Sequence, residues 1–495
     1  MKRLCLLLIL CLLLCGCSAK REDAHHTPTT QPTDTTHSPS QLVTFDIYAI
    51  NDLHGKFTDT DVQPGVDELS TYLRQAQQSG NTIFLSTGDM WQGTSESNMT
   101  GGLMITEWMN ELDFAAMILG GHEYDWGEHQ IRQNRDLAEF PFLAINIYSR
   151  QTNKQVDYCQ SSLMVDIEGA QIGIIGAIGD CYGSVASENT EDVYFITGGD
   201  LTALVKSEAE LLRSKGADFI IYALHDGYDQ NYDGKNPLTA DRLSYYDTAL
   251  SDGYVDLVFE ADSHFTYVLQ DQHGVYHLQA GGNNSGISHA SVLLDLGRED
   301  AFVFAAELIP GNKYSFLEDD PVVSQLLEKY ADQIAPAARH LGTNSQYRSG
   351  KHICQLVADL YRTKGVEKWG EQYDIVLGGG YIQCRSPGYL SAGEIIYSQL
   401  HALLPFDNEI TLCEIKGRDL VEKFLETDHY AYYIATTAYG ESIRNSIEPD
   451  KTYYVVTDSY SADYAANNMT VIDTYSADTF ARDLLADYIA EGGLT

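Results

Sequence analysis

The chain has 495 residues, a formal net charge of −40 and 44% hydrophobic residues. This length exceeds what one hydrophobic core supports and predicts two or three domains, and the hydrophobic content excludes a globally disordered chain. The negative field repels nucleic-acid backbones, so we expect no nucleic-acid polymer as a partner. A small anionic substrate remains compatible, because bound cations can reverse the local potential.

The N-terminus has the pattern of a secretory signal peptide. Lys2 and Arg3 precede an apolar run over residues 4–15 that is too short to cross a bilayer. The run closes with Leu14-Cys15-Gly16-Cys17, which resembles the bacterial lipobox and implies cleavage before Cys17 and acylation of its thiol. An ordinary secretory signal is the alternative. We expect a lipoprotein signal peptide over 1–17, a flexible Ser/Thr/Pro-rich tether over 18–41, and export to the bacterial cell envelope, outside the cytoplasm, with the N-terminal lipid as the membrane contact.

The cysteines beyond the tether indicate neither a zinc knuckle nor a full disulfide framework. Their number is odd and none forms a Cys-x-x-Cys pair. We expect most of them to be small buried hydrophobes. They are Cys159, Cys181, Cys354, Cys384 and Cys413.

Short β-rich runs alternate with helical patterns from residue 42 to about residue 310. The predicted strands are Val43–Ile50, Thr82–Ser86, Ala115–Leu119, Phe142–Ile147, Ile172–Ala177, Phe219–Leu224 and Asp256–Phe259. The predicted helices are Val66–Gln77, Ile131–Leu137, Leu201–Lys215 and Ala240–Leu250. Such alternation predicts a layered α/β domain, which we place at residues 42–318.

A connecting helix and a second domain follow. The helix is predicted over Val322–Ala335, between Pro321 and Pro336, within a linker at residues 319–344. The second domain, residues 345–495, is rich in tyrosine and begins with a helical pattern at Ile353–Lys364.

Aspartate and histidine recur after five of the predicted strands. Since ligands of open α/β sheets bind beyond the carboxyl ends of the strands, these side chains would share one rim. Singly, each of them is equally typical of a turn, a helix cap or a buried histidine. They are Asp52 and His54 after the first strand, Asp89 after the second, His122 and Asp125 after the third, His225 after the sixth, and Asp262 and His264 after the seventh.

Together these residues favour a site for divalent metal ions. Imidazole and carboxylate ligands suit such ions, and a carboxylate such as Asp89 can bridge two of them. Two ions roughly 3.5–4 Å apart clamp the attacking and leaving oxygens of a phosphoryl transfer. Asp125 would orient the imidazole of His122, which would steady phosphoryl oxygens or protonate the leaving group.

The motifs resemble those of one family. Four motifs follow one another along the chain, namely Asn-Asp-x-His-Gly, Gly-Asp, Gly-x-His-Glu-Tyr-Asp-x-Gly and Leu-His-x-Gly. Their order resembles that of the metallophosphatase 5′-nucleotidase family, which includes bacterial nucleotidases, UDP-sugar hydrolases and 2′,3′-cyclic phosphodiesterases. Blocks of the family's second domain also have similar counterparts in this chain, namely Gly378-Gly379-Gly380, Arg385 and Leu404-Pro405-Phe406-Asp407-Asn408. The resemblance implies a four-layered α/β-β/α metallophosphatase-like domain followed by a smaller α/β substrate-binding domain.

The resemblance also implies residue roles. The first ion would be held by Asp52, His54, Asp89 and His264. The second ion would be held by Asp89 and His225 together with Asp262. His122 and Asp125 would be the catalytic pair. Arg385, with Gly379 and Gly380, would contact the substrate, and the base would stack between aromatic rings. The stacking candidates are Tyr432 or Tyr433 and Tyr460 or Tyr464, of which we select Tyr433 and Tyr464.

Three positions depart from the family pattern. Gly121 replaces an asparagine ligand, Asp262 replaces a histidine, and Arg385 follows the glycines at a longer spacing. We therefore expect two divalent ions (manganese, zinc or magnesium) with the second held weakly.

The sequence predicts a monomeric, metal-dependent phosphoric ester hydrolase of the 5′-nucleotidase type that acts on small nucleotides, with a hinge near Val322–Ala335. A lipoprotein that binds nucleotides or sugar nucleotides with weak or lost catalysis is the first alternative. A structural envelope protein built on the same fold is the second.

Overall fold

The structure is a computed structural model, and it describes residues 41–495 apart from short internal gaps. Those gaps are 59–63, 181–184, 186, 229–234, 244–249, 299, 386, 426–433, 437–445, 464–467 and 477–478. The predicted signal peptide, Cys17, Tyr433 and Tyr464 therefore lie outside the described residues. No helix within the described ranges is long and apolar enough to cross a bilayer.

The first domain is built from two β-sheets and the helices that cover them. Its strands are β1 (Leu42–Ile50), β2 (Thr82–Ser86), β3 (Ala116–Ile118), β4 (Phe142–Leu143), β5 (Ile147–Ser149), β6 (Ser162–Ile167), β7 (Ala170–Ile178), β8 (Val193–Phe195), β9 (Phe219–His225), β10 (Leu257–Phe259), β11 (Thr266–Gln270), β12 (Tyr276–Ala280), β13 (Gly286–Asp295) and β14 (Asp300–Pro310). Its helices are α1 (Val66–Ser79), α2 (Ser95–Met99), α3 (Leu103–Glu111), α4 (Gly127–Leu137) and α5 (Gly198–Ser214).

Both large sheets have parallel strands at their centre. In the described chain, the first sheet has the order β14-β13-β1-β2-β3-β4 and the second β11-β12-β10-β9-β7-β6. Strands β1 to β4 run parallel to one another, as do β7, β9, β10 and β12. The carboxyl ends of β1, β2 and β3 therefore meet at one edge, as do those of β9 and β10, and these edges carry the predicted site residues.

The two sheets pack face to face through an apolar core. The rings of Phe45 on β1 and Phe219 on β9 meet edge to face across it, with centroids 6.1 Å apart. Helices α1, α3 and α4 cover the outer face of the first sheet, and α5 covers that of the second. Burial of each large apolar side chain contributes about 1.5–3 kcal/mol. The resulting order of helix, sheet, sheet and helix confirms the predicted four-layered domain.

The second domain is a smaller α/β unit. Helices α6 (Pro321–Lys329) and α7 (Ala331–Ile334) precede it, and its own helices are α8 (Gly350–Trp369), α9 (Tyr397–Leu403), α10 (Gly417–Leu420), α11 (Ser459–Asp463) and α12 (Ala481–Ala490). Its strands are β15 (His340–Asn344), β16 (Arg348–Ser349), β17 (Ile375–Tyr381), β18 (Tyr389–Leu390), β19 (Gly393–Ile396), β20 (Ile410–Lys416), β21 (Ile434–Thr436), β22 (Thr452–Asp458) and β23 (Thr470–Thr474).

A mixed sheet with the order β21-β17-β22-β20-β23 in the described residues forms the centre of this domain. Helices α8 and α12 pack on one of its faces, where Val357 and Leu485 are fully buried. The opposite face is covered by α10 and the following π-helical turn, which contribute Leu420 and Phe424. This arrangement confirms the predicted smaller α/β domain.

The predicted strand over Phe142–Ile147 was wrong. Strand β4 ends at Leu143, and β5 pairs with β8 in a separate small sheet. The chain leaves the first sheet because the Asn146 side chain is buried and donates to the carbonyl oxygens of Ile178 and Ile196. Of the predicted helix Ala240–Leu250, residues 240–242 form a 3₁₀ turn and residues 244–249 lie outside the described chain.

The predicted connecting helix is interrupted. Helix α6 ends at Lys329 and α7 begins at Ala331, because Tyr330 has a non-helical ψ of 8°. Val322, Val323 and Leu326 pack into the core of the first domain. Helix α6 is therefore part of that core, and the domain bounds at 318 and 345 stay predictions.

A buried ion-pair network joins the end of β10 to β12. His277 Nδ1 lies 3.1 Å from Glu260 Oε1, and His277 Nε2 lies 3.5 Å from Asp271 Oδ2. Tyr267 donates its hydroxyl hydrogen to Glu260 Oε2 over 2.6 Å. Burial lowers the pKa of His277, but the charges of Glu260 and Asp271 outweigh burial and raise that pKa to about 9.

We predict a stability change with pH that depends on this network. Because the folded chain holds the His277 proton more tightly than the unfolded chain, its stabilisation is complete below pH 6.5 and is lost as the pH rises through about 9. The free energy of unfolding should fall by about 3 kcal/mol across that window. Urea denaturation of the wild type and Glu260→Gln measures this, and equal pH slopes for the two proteins would contradict the prediction.

Candidate active site

The carboxyl ends of the central strands bring together two groups of potential metal ligands. Among the described residues, Asp52, His54 and His264 form one group, and Asp52, Asp89 and His225 form the other, with ligand atoms within 4.8 Å of one another. Asp52 is a member of both groups. The sequence analysis assigned the bridging role to Asp89, and that role stays a prediction.

The first group converges on the carboxylate of Asp52. His54 Nε2 and His264 Nε2 are 3.1 Å apart, and His264 Nε2 lies 3.5 Å from Asp52 Oδ1. Asp52 and His54 are buried, whereas the side chain of His264 is partly exposed. Two ring nitrogens facing each other beside a carboxylate oxygen form a donor set that suits a divalent cation.

Hydrogen bonds to backbone carbonyls fix the tautomers of two histidines. His54 Nδ1 lies 3.0 Å from the carbonyl oxygen of Gln92, and His225 Nδ1 lies 2.6 Å from that of Thr87. A ring nitrogen must carry its hydrogen to donate to a carbonyl, so Nδ1 is protonated in both rings. In His54, whose pKa burial lowers well below its ordinary value, this leaves the lone pair of Nε2 aimed at the other ligands.

The second group contains a buried pair of opposite charges. His225 Nε2 lies 3.3 Å from Asp89 Oδ1, and both side chains are buried. Burial raises the pKa of Asp89, but the charge of His225 lowers it well below its usual range. Burial lowers the pKa of His225, and Asp89 raises it well above its ordinary value. A metal ion bound here would take the place of the imidazole proton, so binding would release a proton.

The backbone at the predicted ligands is strained. A positive φ is uncommon for residues other than glycine, and such strain clusters at functional sites. Five of the six predicted metal ligands have a positive φ, namely Asp52 (49°), His54 (50°), Asp89 (54°), Asp262 (60°) and His264 (54°).

Asp262 lies beside these groups without belonging to either of them among the described residues. Its backbone N–H donates to Asp52 Oδ1 over 3.1 Å. Burial raises the pKa of its carboxyl to about 6, and the neighbouring carboxylates add to that shift although His225 opposes it. Metal coordination by Asp262 stays a prediction.

The sequence analysis assigned no role to Glu123, which holds the loops after β2 and β3 together. The buried Glu123 carboxylate accepts hydrogen bonds of 2.7–2.9 Å from the backbone N–H groups of Asp89, Met90 and Gly120. Burial and the charge of Asp89 raise its pKa to about 7. The sequence signal that could have indicated a role for Glu123 was its position in the His-Glu-Tyr motif. Gly120 permits the close approach, because a Cβ there would lie 2.4 Å from Asp89 Oδ1.

The predicted catalytic pair lies next to the candidate ligands. His122 Nδ1 is 3.0 Å from Asp125 Oδ2, and the backbone N–H of His122 donates to Asp89 Oδ1 over 2.8 Å. Burial lowers the pKa of His122, but Asp125 and Asp89 outweigh burial and raise it to about 9. Asp125 therefore orients the ring and stabilises its protonated form, as a general acid requires.

Arg385 of the second domain reaches His122. Its Nη2 lies 3.0 Å from His122 Nε2. Since a guanidinium can only donate, a hydrogen bond over this distance requires an unprotonated Nε2, which is the state of the ring after it has given up its proton. The guanidinium lies 5.1 Å from the ring centroid of Phe406, and this ring lies 5.4 Å from that of His122. Phe406 belongs to the Leu404–Asn408 motif, and the sequence alone predicted no role for it.

The segment that carries Phe406 is held from two sides. Asn98 of the first domain donates to the carbonyl oxygen of Pro405 over 2.9 Å. The buried guanidinium of Arg482 donates to the carbonyl oxygens of Leu404, Pro405 and Phe406 over 3.0–3.4 Å and also contacts Asp407. These bonds fix the Phe406 ring beside the catalytic pair.

The remaining predicted substrate residues lie elsewhere or outside the described chain. Gly379 and Gly380 are inside β17, and a Cβ at Gly380 would lie 2.6 Å from Ser461 Oγ. Their described surroundings are packing contacts, so substrate contact by these glycines stays a prediction. Tyr460 meets Tyr381 edge to face at 6.4 Å.

A cavity of about 340 Å³ opens beside the first ligand group. None of its described lining residues is acidic. Cationic, imidazole and amide side chains line it together with smaller residues, and they include His54, Lys56, Gln92, His264, Asn283, Gln383 and Arg385. Lys56 is only 4% exposed, and burial lowers its pKa to about 8, although Glu96 opposes this shift. In a chain of charge −40, such a lining favours an anionic ligand.

Comparisons with known proteins agree with this architecture. No family model matches the chain. It is 24% identical to protein UshA of Yersinia enterocolitica over 488 residues, covering 85% of this chain and 86% of UshA. It is also 24% identical to endonuclease YhcR of Bacillus subtilis over 78% of this chain, but it spans only 33% of that longer protein.

A solved structure shares the fold over almost the whole chain. The 5′-nucleotidase precursor of Thermus thermophilus superimposes with a TM-score of 0.70 at 18% identity, covering 91% of this chain and 96% of that one. The chain therefore has the two-domain metallophosphatase fold. The similarity to UshA and to this nucleotidase supports the resemblance to the metallophosphatase 5′-nucleotidase family.

Because Asp52 belongs to both ligand groups, we predict how many metal ions each single variant binds. His54→Ala should lose one bound ion and His225→Ala the other, whereas Asp52→Ala should lose both, because its carboxylate belongs to both groups. Elemental analysis after dialysis against manganese measures the ion-to-protein ratio. His129→Ala, which removes an exposed histidine on α4, is the matched control. Retention of one full ion by Asp52→Ala would contradict the shared role.

Proposed function

We propose that this chain is a metal-dependent hydrolase of nucleotide phosphoesters, of the 5′-nucleotidase type, which releases phosphate and nucleoside. One observation carries the proposal. Two candidate ligand groups share Asp52, and the His122–Asp125 pair lies against them, with the His122 backbone N–H on Asp89. This geometry supports phosphoryl transfer better than ligand binding alone, since a protein that only binds a nucleotide has no need of an oriented acid.

The proposed metal ligands are Asp52, His54 and His264 on one side and Asp52, Asp89 and His225 on the other. When bound, two divalent ions would supply a nucleophilic oxygen at neutral pH and neutralise phosphoryl charge. We include Asp262 as a further ligand of the second ion. We expect that ion to be the weaker, because Gly121 offers no side chain.

Side chains of this chain would handle the substrate and its proton. His122, held by Asp125, would give its proton to the leaving oxygen. Arg385 and Lys56 would bind the anionic group, because both are cations that line the same cavity, Lys56 buried and Arg385 half-buried. Phe406 offers an aromatic face for the nucleoside beside His122.

The cellular location and the oligomeric state of the enzyme are also part of the proposal. The signal-like N-terminus and the lipobox resemblance at Cys17 support export and attachment to the cell envelope by lipid. We propose a monomer that acts on small nucleotides, with the second domain carrying the substrate to the metal ions.

Phosphate release from a nucleotide panel tests the proposed activity. A soluble form beginning at Ser18 should release phosphate only with added manganese. His122→Ala and Asp125→Asn should lower kcat/KM by roughly 10²–10⁴-fold, because each removes the oriented proton donor. His129→Ala should match the wild type. Phosphate release that survives chelation, or that is unchanged in His122→Ala, would contradict the proposal. Nucleotide binding without release would favour the binding-protein alternative.

We predict that Gly121→Asn strengthens the second metal site. Gly121 has φ −63° and ψ −49°, which asparagine adopts without strain. An added amide oxygen at this turn should lower the manganese concentration needed for half-maximal activity by about tenfold. Gly121→Ala, which adds a side chain without a ligand atom, is the matched control. The same manganese dependence in both variants would show that the asparagine does not reach the ion.

A further inference from the structure

Two cysteine thiols face each other beside Arg385. Cys354 lies in the first turns of α8, and Cys384 lies in the segment after β17, directly before Arg385. Their Sγ atoms are 3.6 Å apart, and Cys384 Sγ lies 3.7 Å from the carbonyl oxygen of Gly350. Cys354 is buried, whereas Cys384 is partly exposed and lines the cavity.

We propose that Cys354 and Cys384 form a disulfide bond in the exported protein, and that this bond positions Arg385 against His122. The bond itself requires only an oxidising compartment, in which disulfides persist. The consequence for activity rests on the role proposed above for Arg385. Cys384 is thus a covalent modification site, and Arg385 is the group whose position it controls.

Packing already holds the two segments close together. A Cβ at Gly350 would lie 2.8 Å from the carbonyl oxygen of Gly388 and 3.2 Å from the Cβ of Cys384. The segment that contains Cys384 and Gly388 therefore lies directly on the first turn of α8. Because the two sulfur atoms already lie 3.6 Å apart, a bond of about 2.05 Å between them needs only a short further approach.

The other described cysteines provide an internal contrast. Cys159 donates to the carbonyl oxygen of Ala144, and Cys413 lies 3.5 Å from Thr411 Oγ1. Both are buried. Neither has a described cysteine as a hydrogen-bonding neighbour, so oxidation should select the Cys354–Cys384 pair.

The oxidation is a two-electron exchange with a small or protein disulfide, RS–SR. Cys384 loses its proton to solvent, and its thiolate attacks one sulfur of RS–SR and expels RS⁻. Cys354 then loses its proton and attacks the Cys384 sulfur of the mixed disulfide, which expels the second RS⁻. Two cysteines are oxidised to one cystine, and RS–SR is reduced to two RSH. Cys384 is the thiol of the pair that an external disulfide can reach, because it lines the cavity whereas Cys354 is buried.

The bond would remove freedom from the segment that carries Arg385. This segment is anchored by the Arg385 backbone N–H, which donates to the carbonyl oxygen of Leu403 over 2.9 Å. A covalent link to α8 at the preceding residue adds a second anchor. Since a small displacement of a positioning group lowers the rate strongly, reduction should lower kcat/KM roughly threefold to tenfold.

Peptide mapping of the exported full chain tests the bond. Free thiols are alkylated in denaturant, and the protein is digested with trypsin without reduction. Peptide 352–362 should then appear joined to peptide 369–385, while Cys159 and Cys413 appear alkylated. Recovery of both peptides in alkylated, unlinked form, also after equilibration with oxidised glutathione, would overturn the proposal.

Activity measurements test the positioning role. A phosphine reductant, which leaves the metal ions in place, should lower kcat/KM of the wild type. Cys354→Ala and Cys354→Ser should show the reduced value with and without reductant, and Cys413→Ala should respond like the wild type. A mapped bond whose reduction leaves kcat/KM unchanged would overturn the positioning role. Absence of phosphate release from every preparation would instead contradict the proposed function, while the peptide map still decides whether the bond forms.

Discussion

The need to compensate buried charge governs the architecture of this site. Asp52, Asp89 and His225 are almost completely removed from water at the junction of two sheets. Burial of a single unpaired charge costs several kcal/mol, so the surrounding groups must supply opposite charge or hydrogen bonds. Histidine rings, backbone N–H groups and the positions proposed for metal ions do this together. Five of the six predicted ligands also have a positive φ, and such backbone strain clusters at functional sites.

The loops around the ligands are themselves tied together by a second buried carboxylate. Glu123 accepts from three backbone N–H groups of two loops, and it thereby fixes the distance between Asp89 and the turn that carries His122. The glycine at position 120 is required because any side chain there would overlap Asp89. The predicted catalytic pair and the candidate ligands thus belong to one hydrogen-bonded unit, and such an arrangement suits the accurate placement of a proton donor.

The second domain contributes through a different kind of contact. A buried arginine, Arg482, holds a run of backbone carbonyl oxygens and thereby places Phe406 next to His122, and Arg385 lies over the Phe406 ring. Five guanidinium N–H donors suit this task, since several carbonyls can be satisfied by one side chain. The separate segment that carries Arg385 lies on α8 through Cys384, so the predicted substrate-binding groups of this domain depend on contacts behind them as much as on their own identity.

The sequence by itself determined which strand ends carry aspartate and histidine, and the rule for parallel sheets was enough to predict that they come together, although they lie at the edges of two sheets rather than on one rim. It also determined a layered α/β domain followed by a second domain, because the alternation of strands and helices is a local pattern, whereas the four-layered arrangement was implied by the family resemblance of the motifs. Only the tertiary structure decided that Asp52 belongs to both ligand groups, that Glu123 joins two loops, and that Arg385 reaches His122. The last contact spans 263 positions of the chain. Contacts of this kind follow from packing between elements distant in sequence, and no periodicity or motif spacing encodes them locally.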